Sequence, residues 1–105
     1  MGDTYHNPKP EYVICAAIHF DDGVKRDNQP AGINTGFVIA GRRHHNCFGT
    51  AFIIHEDNRY LKHEKEQGFL TSRDRFVSRK EAGIIAFTQG QTKELHYTLF
   101  SEDLY

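Results

Sequence analysis

The sequence predicts a small α+β fold in which an antiparallel β-layer packs against two α-helices. Two apolar runs within residues 11–40 are rich in β-branched and aromatic side chains, which favour strands. A Ser-Arg-Lys-Glu sequence at residues 78–81, followed by an apolar helical stripe and Gly90, has the start and stop signals of a helix. At 105 residues the chain predicts a single domain, 1–105.

Each element is assigned from its local pattern. Residues 1–10 are polar with two prolines and predict a leader or arm. Residues 11–20 and 35–40 predict strands, joined by a loop that begins with the Asp-Asp-Gly turn sequence. The remaining assignments are a first helix over residues 43–60, a second helix over 78–89 and a C-terminal segment over 90–105.

The region of the first helix fits two patterns. Residues 44–55 have apolar side chains at helical spacing, but residues 47–54 also alternate as one face of a strand. Length favours the helix. The charged residues 57–67 predict an extension of this helix or an exposed connection, and residues 73–75 predict a tight turn.

Composition excludes several function classes. Thirteen basic and 14 acidic residues give a formal net charge of −1, which argues against bulk electrostatic binding to duplex nucleic acid or to a membrane. No apolar run reaches the roughly 20 residues of a membrane span, and we read no signal peptide. Cys15 and Cys47 lie in core-like runs, as expected of reduced thiols in a cytoplasmic protein.

A basic turn is the first candidate binding element. Arg42, Arg43 and His44 follow the apolar run 37–40 and precede the predicted helix. Cationic side chains and free N–H groups at a helix start suit a phosphate-bearing ligand. A solvated basic turn is the alternative interpretation.

The second candidate element is residues 68–79, where aromatic, hydroxyl and guanidinium groups alternate. Aromatic rings can stack a base, and arginines can pair with phosphate. The alternative is that the phenylalanines belong to the core. The side chains of interest are Phe69, Thr71, Arg75, Phe76 and Arg79.

Metal and catalytic sites are not predicted. The histidines and Cys47 do not complete a zinc ligand set, since one His-Asn-Cys pair stands without a second pair motif. No nucleophile, base and orienting group can be assembled, so we expect no catalytic residues and no cofactor.

Five motifs together resemble a phage protein family. They are the sequences at residues 41–47, 67–72, 75–82, 86–91 and 99–105. In order and spacing they resemble the anti-Thoeris sponges of the first-described type, over about residues 36–105. The resemblance implies a β-layer followed by two helices, and a dimer or hexamer with ligand pockets between protomers. It also implies that the protein binds glycocyclic ADP-ribose isomers without cleaving them. Some relatives also bind cyclic oligonucleotides at a second site.

The resemblance also implies roles for individual residues. Arg43 would clamp a pyrophosphate, with Arg75 and Arg79 as further candidates, Phe69 would stack adenine, and Asp103 would bind a ribose hydroxyl. We therefore expect a cytoplasmic homo-oligomer that sequesters a cyclic nucleotide signal of bacterial anti-phage defence. The expected ligand-binding residues are Arg42, Arg43, His44, Phe69, Thr71, Arg75, Phe76, Arg79 and Asp103. A His-dependent or metal-dependent nuclease or cyclic-nucleotide phosphodiesterase, and a protein–protein inhibitor of a host factor, remain alternatives.

Overall fold

The protein is an α+β structure built on a four-stranded sheet. The computed structural model describes residues 10–54 and 63–105. The elements, in order, are β1 (Val13–Phe20), β2 (Phe37–Gly41), α1 (His44–Ile54), β3 (Glu64–Thr71), β4 (Phe76–Ser78) and α2 (Arg79–Thr88), followed by a short 3-10 turn (Ser101–Asp103). The predicted antiparallel β-layer with two helices is confirmed.

The order of the elements differs from the one that the resemblance implied. The sheet order is β2-β1-β3-β4 and every pairing is antiparallel. Because β2 and β3 both pair antiparallel with β1, they run in the same direction and need a long crossover between them. Helix α1 lies within that crossover, so it precedes β3 and β4 instead of following the whole sheet.

The core forms around β1, which pairs with a strand on each side. Its last five residues, from Ala16 to Phe20, are all buried. Helix α1 contributes Cys47 and Ala51 to the core, and α2 contributes small residues. The fully buried large side chains are Phe20, Phe69, Ile18, Leu99 and Val77.

Helix α1 resolves the ambiguity of residues 47–54 in favour of the helix. The Arg43 N–H donates to Asn46 Oδ1 at 3.1 Å, which pairs one backbone donor at the helix start. Cys47 and Ala51, four residues apart, form the buried stripe. The predicted end of this helix, residues 55–60, lies outside the described residues.

For residues 64–67, the assignment to a helix extension or an exposed connection was wrong, and residues 57–62 lie outside the described residues. Glu64 to Gln67 belong to β3 and pair with β1, with Ile18 opposite Gln67 and His19 opposite Glu66. Their side chains are mostly exposed, but the backbone is part of the sheet. Whether a segment forms a strand depends on the strand beside it as well as on its own sequence. Here the polar residues 64–67 form a strand because they pair with the apolar strand β1.

Helix α2 has both predicted ends. Ser78 Oγ accepts from the Glu81 N–H at 3.1 Å, while the Glu81 carboxylate bonds Arg75. At the other end Gly90 has φ of +75°, its N–H donates to Phe87 O, and the next N–H reaches Ala86 O at 2.7 Å. This is a Schellman motif, in which glycine takes the left-handed position without strain. In the described part of the chain, no helix has the length and hydropathy to cross a membrane.

Candidate ligand-binding site

The turn between β2 and α1 presents the predicted basic residues at the start of α1. Arg42 is exposed, while Arg43 and His44 are half-buried. A Cβ on Gly41 would lie 3.2 Å from the Asn46 Cβ, so the strand and the helix approach closely here.

The end of the chain packs onto this turn through Tyr105. The Arg43 Nη2 donates to the backbone oxygen of Tyr105 at 2.7 Å. The Tyr105 hydroxyl donates in turn to the Arg42 carbonyl, also at 2.7 Å. Both guanidinium carbons lie about 5 Å from the Tyr105 ring centre, at 5.1 and 5.2 Å, within cation–π range.

Arg79 brings a third guanidinium to the same segment from the start of α2. Its Nη1 donates to the Leu99 carbonyl and its Nη2 to Gln67 Oε1, both at 2.8 Å. The guanidinium carbon lies 4.8 Å from the Phe100 ring centre. Arg42, Arg43 and Arg79, together with the exposed rings of Phe100 and Tyr105, are hereafter called the arginine cluster.

Glu102 partly balances the charge of the arginine cluster. Its carboxylate lies 3.6 Å from Arg43 Nη1, and its side chain is 69% exposed. An ion pair this exposed is weak. The Arg43 Nη1 atom itself is buried and has no hydrogen-bond partner among the described residues. The cluster therefore has one donor whose bonding is incomplete.

His44 lies beneath the cluster in a structural role. Its Nε2 is 2.8 Å from the Gly68 carbonyl, and its ring meets Phe69 edge-to-face at 5.1 Å. Burial lowers the pKa of His44, with a further lowering from Arg79, against the raising effects of the Gly68 carbonyl and Glu102. A neutral ring with its proton on Nε2 fits this hydrogen bond.

Phe69 does not present its ring for stacking. It is fully buried, under His44 and within 6.0 Å of the Arg79 guanidinium. This corrects the expectation that Phe69 stacks a base. The exposed rings at this place are Phe100 and Tyr105, at 48% and 43%.

Thr71, Arg75 and Phe76 belong to other contacts. The Thr71 hydroxyl donates to Glu11 at 2.6 Å, and Arg75 donates to both Glu11 oxygens at 2.8 Å and to Glu81 at 2.9 Å. The hydrogen bonds from Arg75 lower the pKa of Glu11 to about 2, against the opposing effect of burial. Phe76 packs edge-to-face on His19 at 5.9 Å. These contacts all lie within the fold, and the assignment of the three side chains to a ligand site stays a prediction.

Asp103 also acts locally. Its Oδ2 accepts from the Phe100 N–H at 2.9 Å and lies 3.9 Å from His96 Nδ1. It therefore caps the 3-10 turn, and its assignment to a ribose hydroxyl stays a prediction.

The thiols and histidines lie in environments that do not bring them together as a metal-binding group in the part of the chain that is described. Cys47 is fully buried, and burial raises its pKa to about 11. No cluster of three or more His, Cys, Asp or Glu residues that could hold a metal ion occurs within 10–54 and 63–105. His55, one of the histidines considered, lies outside the described residues.

Sequence reasoning missed three members of this site, namely Phe100, Glu102 and Tyr105. They lie in the motif at residues 99–105, Leu-Phe-Ser-Glu-Asp-Leu-Tyr, which contains two aromatic and two acidic side chains. That motif is more than fifty residues from the basic turn in the sequence, and only the fold shows that the two meet.

Comparison with known proteins places the chain through a family model. No curated protein and no solved structure matches the chain. One family model, described as phage T4 y16D protein, matches residues 12–105 and so spans β1 to the end of the arginine cluster. The chain therefore belongs to the phage T4 y16D protein family.

Proposed function

We propose that this phage-family protein binds a small phosphate-bearing nucleotide at the arginine cluster and sequesters it without cleavage. The ligand class is cyclic ADP-ribose and its isomers, with cyclic oligonucleotides as the wider class, and the effect is to inhibit bacterial anti-phage defence from the host cytoplasm. The observation that carries the proposal is the convergence of Arg42, Arg43 and Arg79 beside two exposed aromatic rings.

The chemistry of the cluster suits a nucleotide in two ways. Guanidinium groups donate paired hydrogen bonds to phosphate oxygens, and such charge-assisted bonds are about twice as strong as neutral ones. Exposed aromatic rings stack bases, at roughly 1–3 kcal/mol per base. Phe100 and Tyr105 supply rings next to the guanidiniums, so one ligand with a pyrophosphate and a base would engage both kinds of group.

Sequestration fits the neighbouring titratable groups better than hydrolysis does. His44 is bonded to the Gly68 carbonyl, and the raised pKa of Cys47 keeps that thiol protonated at neutral pH. A general base or nucleophile needs a free lone pair near its working pH. The protonated Cys47 thiol supplies none, and the Nε2 of His44 is engaged by the Gly68 carbonyl, which leaves Nδ1 as the one free lone pair of the two side chains.

Recovery of intact ligand tests the proposal. Purified protein is mixed with cyclic ADP-ribose, binding is measured by calorimetry, and the complex is then heated and the released nucleotide analysed by chromatography. The expected result is saturable binding and quantitative recovery of unchanged ligand. A hydrolysis product would replace the proposal with the phosphodiesterase alternative. Absence of binding to any cyclic nucleotide, with ligand-independent capture of one host protein, would replace it with the inhibitor alternative.

The Arg43→Ala variant tests whether the ligand binds at the arginine cluster. Loss of a charge-assisted contact removes about 1.5–3 kcal/mol of binding, equivalent to roughly 10- to 100-fold in affinity, and should reduce the salt dependence. Arg26→Ala is the matched control, because Arg26 also stacks on a phenylalanine, Phe37, at 5.0 Å and pairs with a carboxylate, on Asp22. Arg26→Ala should bind as the unchanged protein does. Equal losses in both variants would show that the cluster is not the site.

A further inference from the structure

Oxygen atoms of residues 99–105 contact the arginine cluster in the way that the oxygen atoms of an anionic ligand would. Two backbone oxygens, of Leu99 and Tyr105, accept hydrogen bonds from Arg79 and Arg43. A carboxylate, of Glu102, faces Arg43 Nη1 at 3.6 Å. Arg43 Nη2 and Arg79 Nη1, two donors that a phosphate would use, are thus already engaged by the chain itself.

We propose that residues 102–105 are an intramolecular competitor, which occupies Arg43 until a phosphate-bearing ligand displaces it. The inference rests on the proposed function and adds a regulatory step to that site. Arg79 is not released in this step. Its partner Leu99 is fully buried and Ser101 is 1% exposed, so this portion of the chain is anchored and holds Arg79 in place for the ligand.

Within residues 102–105, Glu102 and Tyr105 are more exposed than the anchor, whereas Leu104 between them packs against the core. Glu102 is mostly exposed, and Tyr105 is 43% exposed. Exposed ion pairs contribute little free energy. Displacement requires that Glu102 leave Arg43 and that Tyr105 give up its hydrogen bonds to Arg43 and to the Arg42 carbonyl, while Leu99 and Ser101 remain buried and Phe100 is the ring that remains for stacking.

The unsatisfied Arg43 Nη1 gives the ligand its advantage over the competitor. The nearest carboxylate oxygen, on Glu102, is 3.6 Å away, which is longer than a hydrogen bond. Charge-assisted bonds from guanidinium to phosphate oxygens are about 2.7–2.9 Å long. A buried donor that lacks a partner destabilises the state that contains it, and a phosphoryl oxygen bound there would remove that penalty.

Removal of the Glu102 charge provides the first test, with inorganic pyrophosphate as the probe. Glu102→Gln keeps the size of the side chain and removes the competing carboxylate, so its affinity for pyrophosphate should exceed that of the unchanged protein by about two- to fivefold. Glu94→Gln is the matched control, since Glu94 is also an exposed carboxylate but lies in the connection after α2. The control should not change affinity.

Hydrogen exchange provides a second readout in the unchanged protein. The Leu104 N–H donates to the Ser101 carbonyl at 3.1 Å, within the turn that carries Glu102. Displacement predicts faster exchange at Leu104 when pyrophosphate is bound, whereas an ordinary ligand contact would slow it.

The outcomes separate this inference from the proposed function. Tighter binding by Glu102→Gln together with faster exchange supports displacement. Binding without an affinity gain, or with slower exchange at Leu104, overturns the competitor and leaves the binding site in place. If neither the unchanged protein nor Glu102→Gln binds pyrophosphate or cyclic ADP-ribose, the proposed function itself is wrong and the competitor is rejected with it.

Discussion

Phe69 and Phe100 are both neighbours of the Arg79 guanidinium, yet they have different roles. Phe69 is fully buried, whereas Phe100 is 48% exposed. In the sequence both are phenylalanines within motifs of the same resemblance, and no local pattern distinguishes a stacking ring from a core ring. The difference arises from β1 and β4, which flank Phe69 in the sheet, and from Arg79, which covers only one side of Phe100.

Alanine at these two positions should therefore affect different properties. Phe69→Ala should lower the free energy of unfolding by about 3–5 kcal/mol, because it leaves a cavity in the core. Phe100→Ala should lower it by about 1 kcal/mol or less, since it removes one exposed cation–π contact, but should weaken nucleotide binding. Urea unfolding and calorimetry measure the two effects. A Phe69→Ala protein of normal stability, or a Phe100→Ala protein with normal binding, would contradict these roles.

The lowered pKa of Glu11 predicts that the fold loses part of its stability at low pH. Its pKa falls from the ordinary 4.5 to about 2, chiefly because Arg75 donates to it. A carboxyl group with a lowered folded-state pKa contributes stability above its unfolded pKa, and that contribution is lost as pH falls through the folded value. Glu11→Gln should therefore flatten the stability profile between about pH 4.5 and 2, where the unchanged protein loses stability.

Asp21 and Asp22 also have pKa values below their ordinary range, so the Glu11→Gln protein should retain part of the acid response. Urea unfolding at a series of pH values gives the slope of the free energy of unfolding against pH for each protein. A Glu11→Gln profile parallel to that of the unchanged protein would show that the Glu11–Arg75 pair has no net effect on folding.

At the scale of elements, helix α2 shows what local signals can predict. The serine cap and the glycine stop were both predicted from residues 78–90 and both are confirmed. The polar half of β3 could not be predicted in this way, because Glu64 to Gln67 have no strand pattern of their own. They are strand residues only because β1 provides backbone partners for them.

Two helical glycines allow the packing of the elements to be tested. A Cβ on Gly83 of α2 would lie 1.8 Å from the His96 carbonyl oxygen, whereas a Cβ on Gly49 of α1 would meet no described atom within 4 Å. Helix propensity alone predicts that alanine stabilises either position by about 1 kcal/mol. Gly49→Ala should show that gain. Gly83→Ala should instead destabilise the protein by about 1–3 kcal/mol, because the backbone around His96 must move.

Thermal or urea unfolding of these two variants measures the sign at each position. A gain at both positions would mean that the connection after α2 does not pack against Gly83. In that case the route that brings residues 99–105 to Arg79 would also be in doubt, since His96 lies on it.

At the scale of the whole molecule, the local part of the site was predictable and its assembly was not. Arg42, Arg43 and His44 were predicted from one motif, because residues next to each other in sequence stay together at a helix start. Arg79 was predicted from another. That Arg79 joins the basic turn through Leu99 and Tyr105, while Arg75 pairs with Glu11, depends on contacts across the whole chain.

The predicted oligomer also belongs to this scale. Helix α1 carries no charged residue, and its last three described residues, Phe52, Ile53 and Ile54, are 48%, 77% and 59% exposed. Exposed apolar groups that are contiguous mark interaction surfaces more often than ordinary protein surface. We therefore expect light scattering at micromolar concentration to give a mass of at least two chains, and Ile53→Asp to lower it. Thr50→Asp, an equal charge at an exposed polar position of the same helix, should leave the mass unchanged. A monomeric mass for the unchanged protein would contradict the prediction, and equal effects of both substitutions would place the interface elsewhere on α1 or outside it.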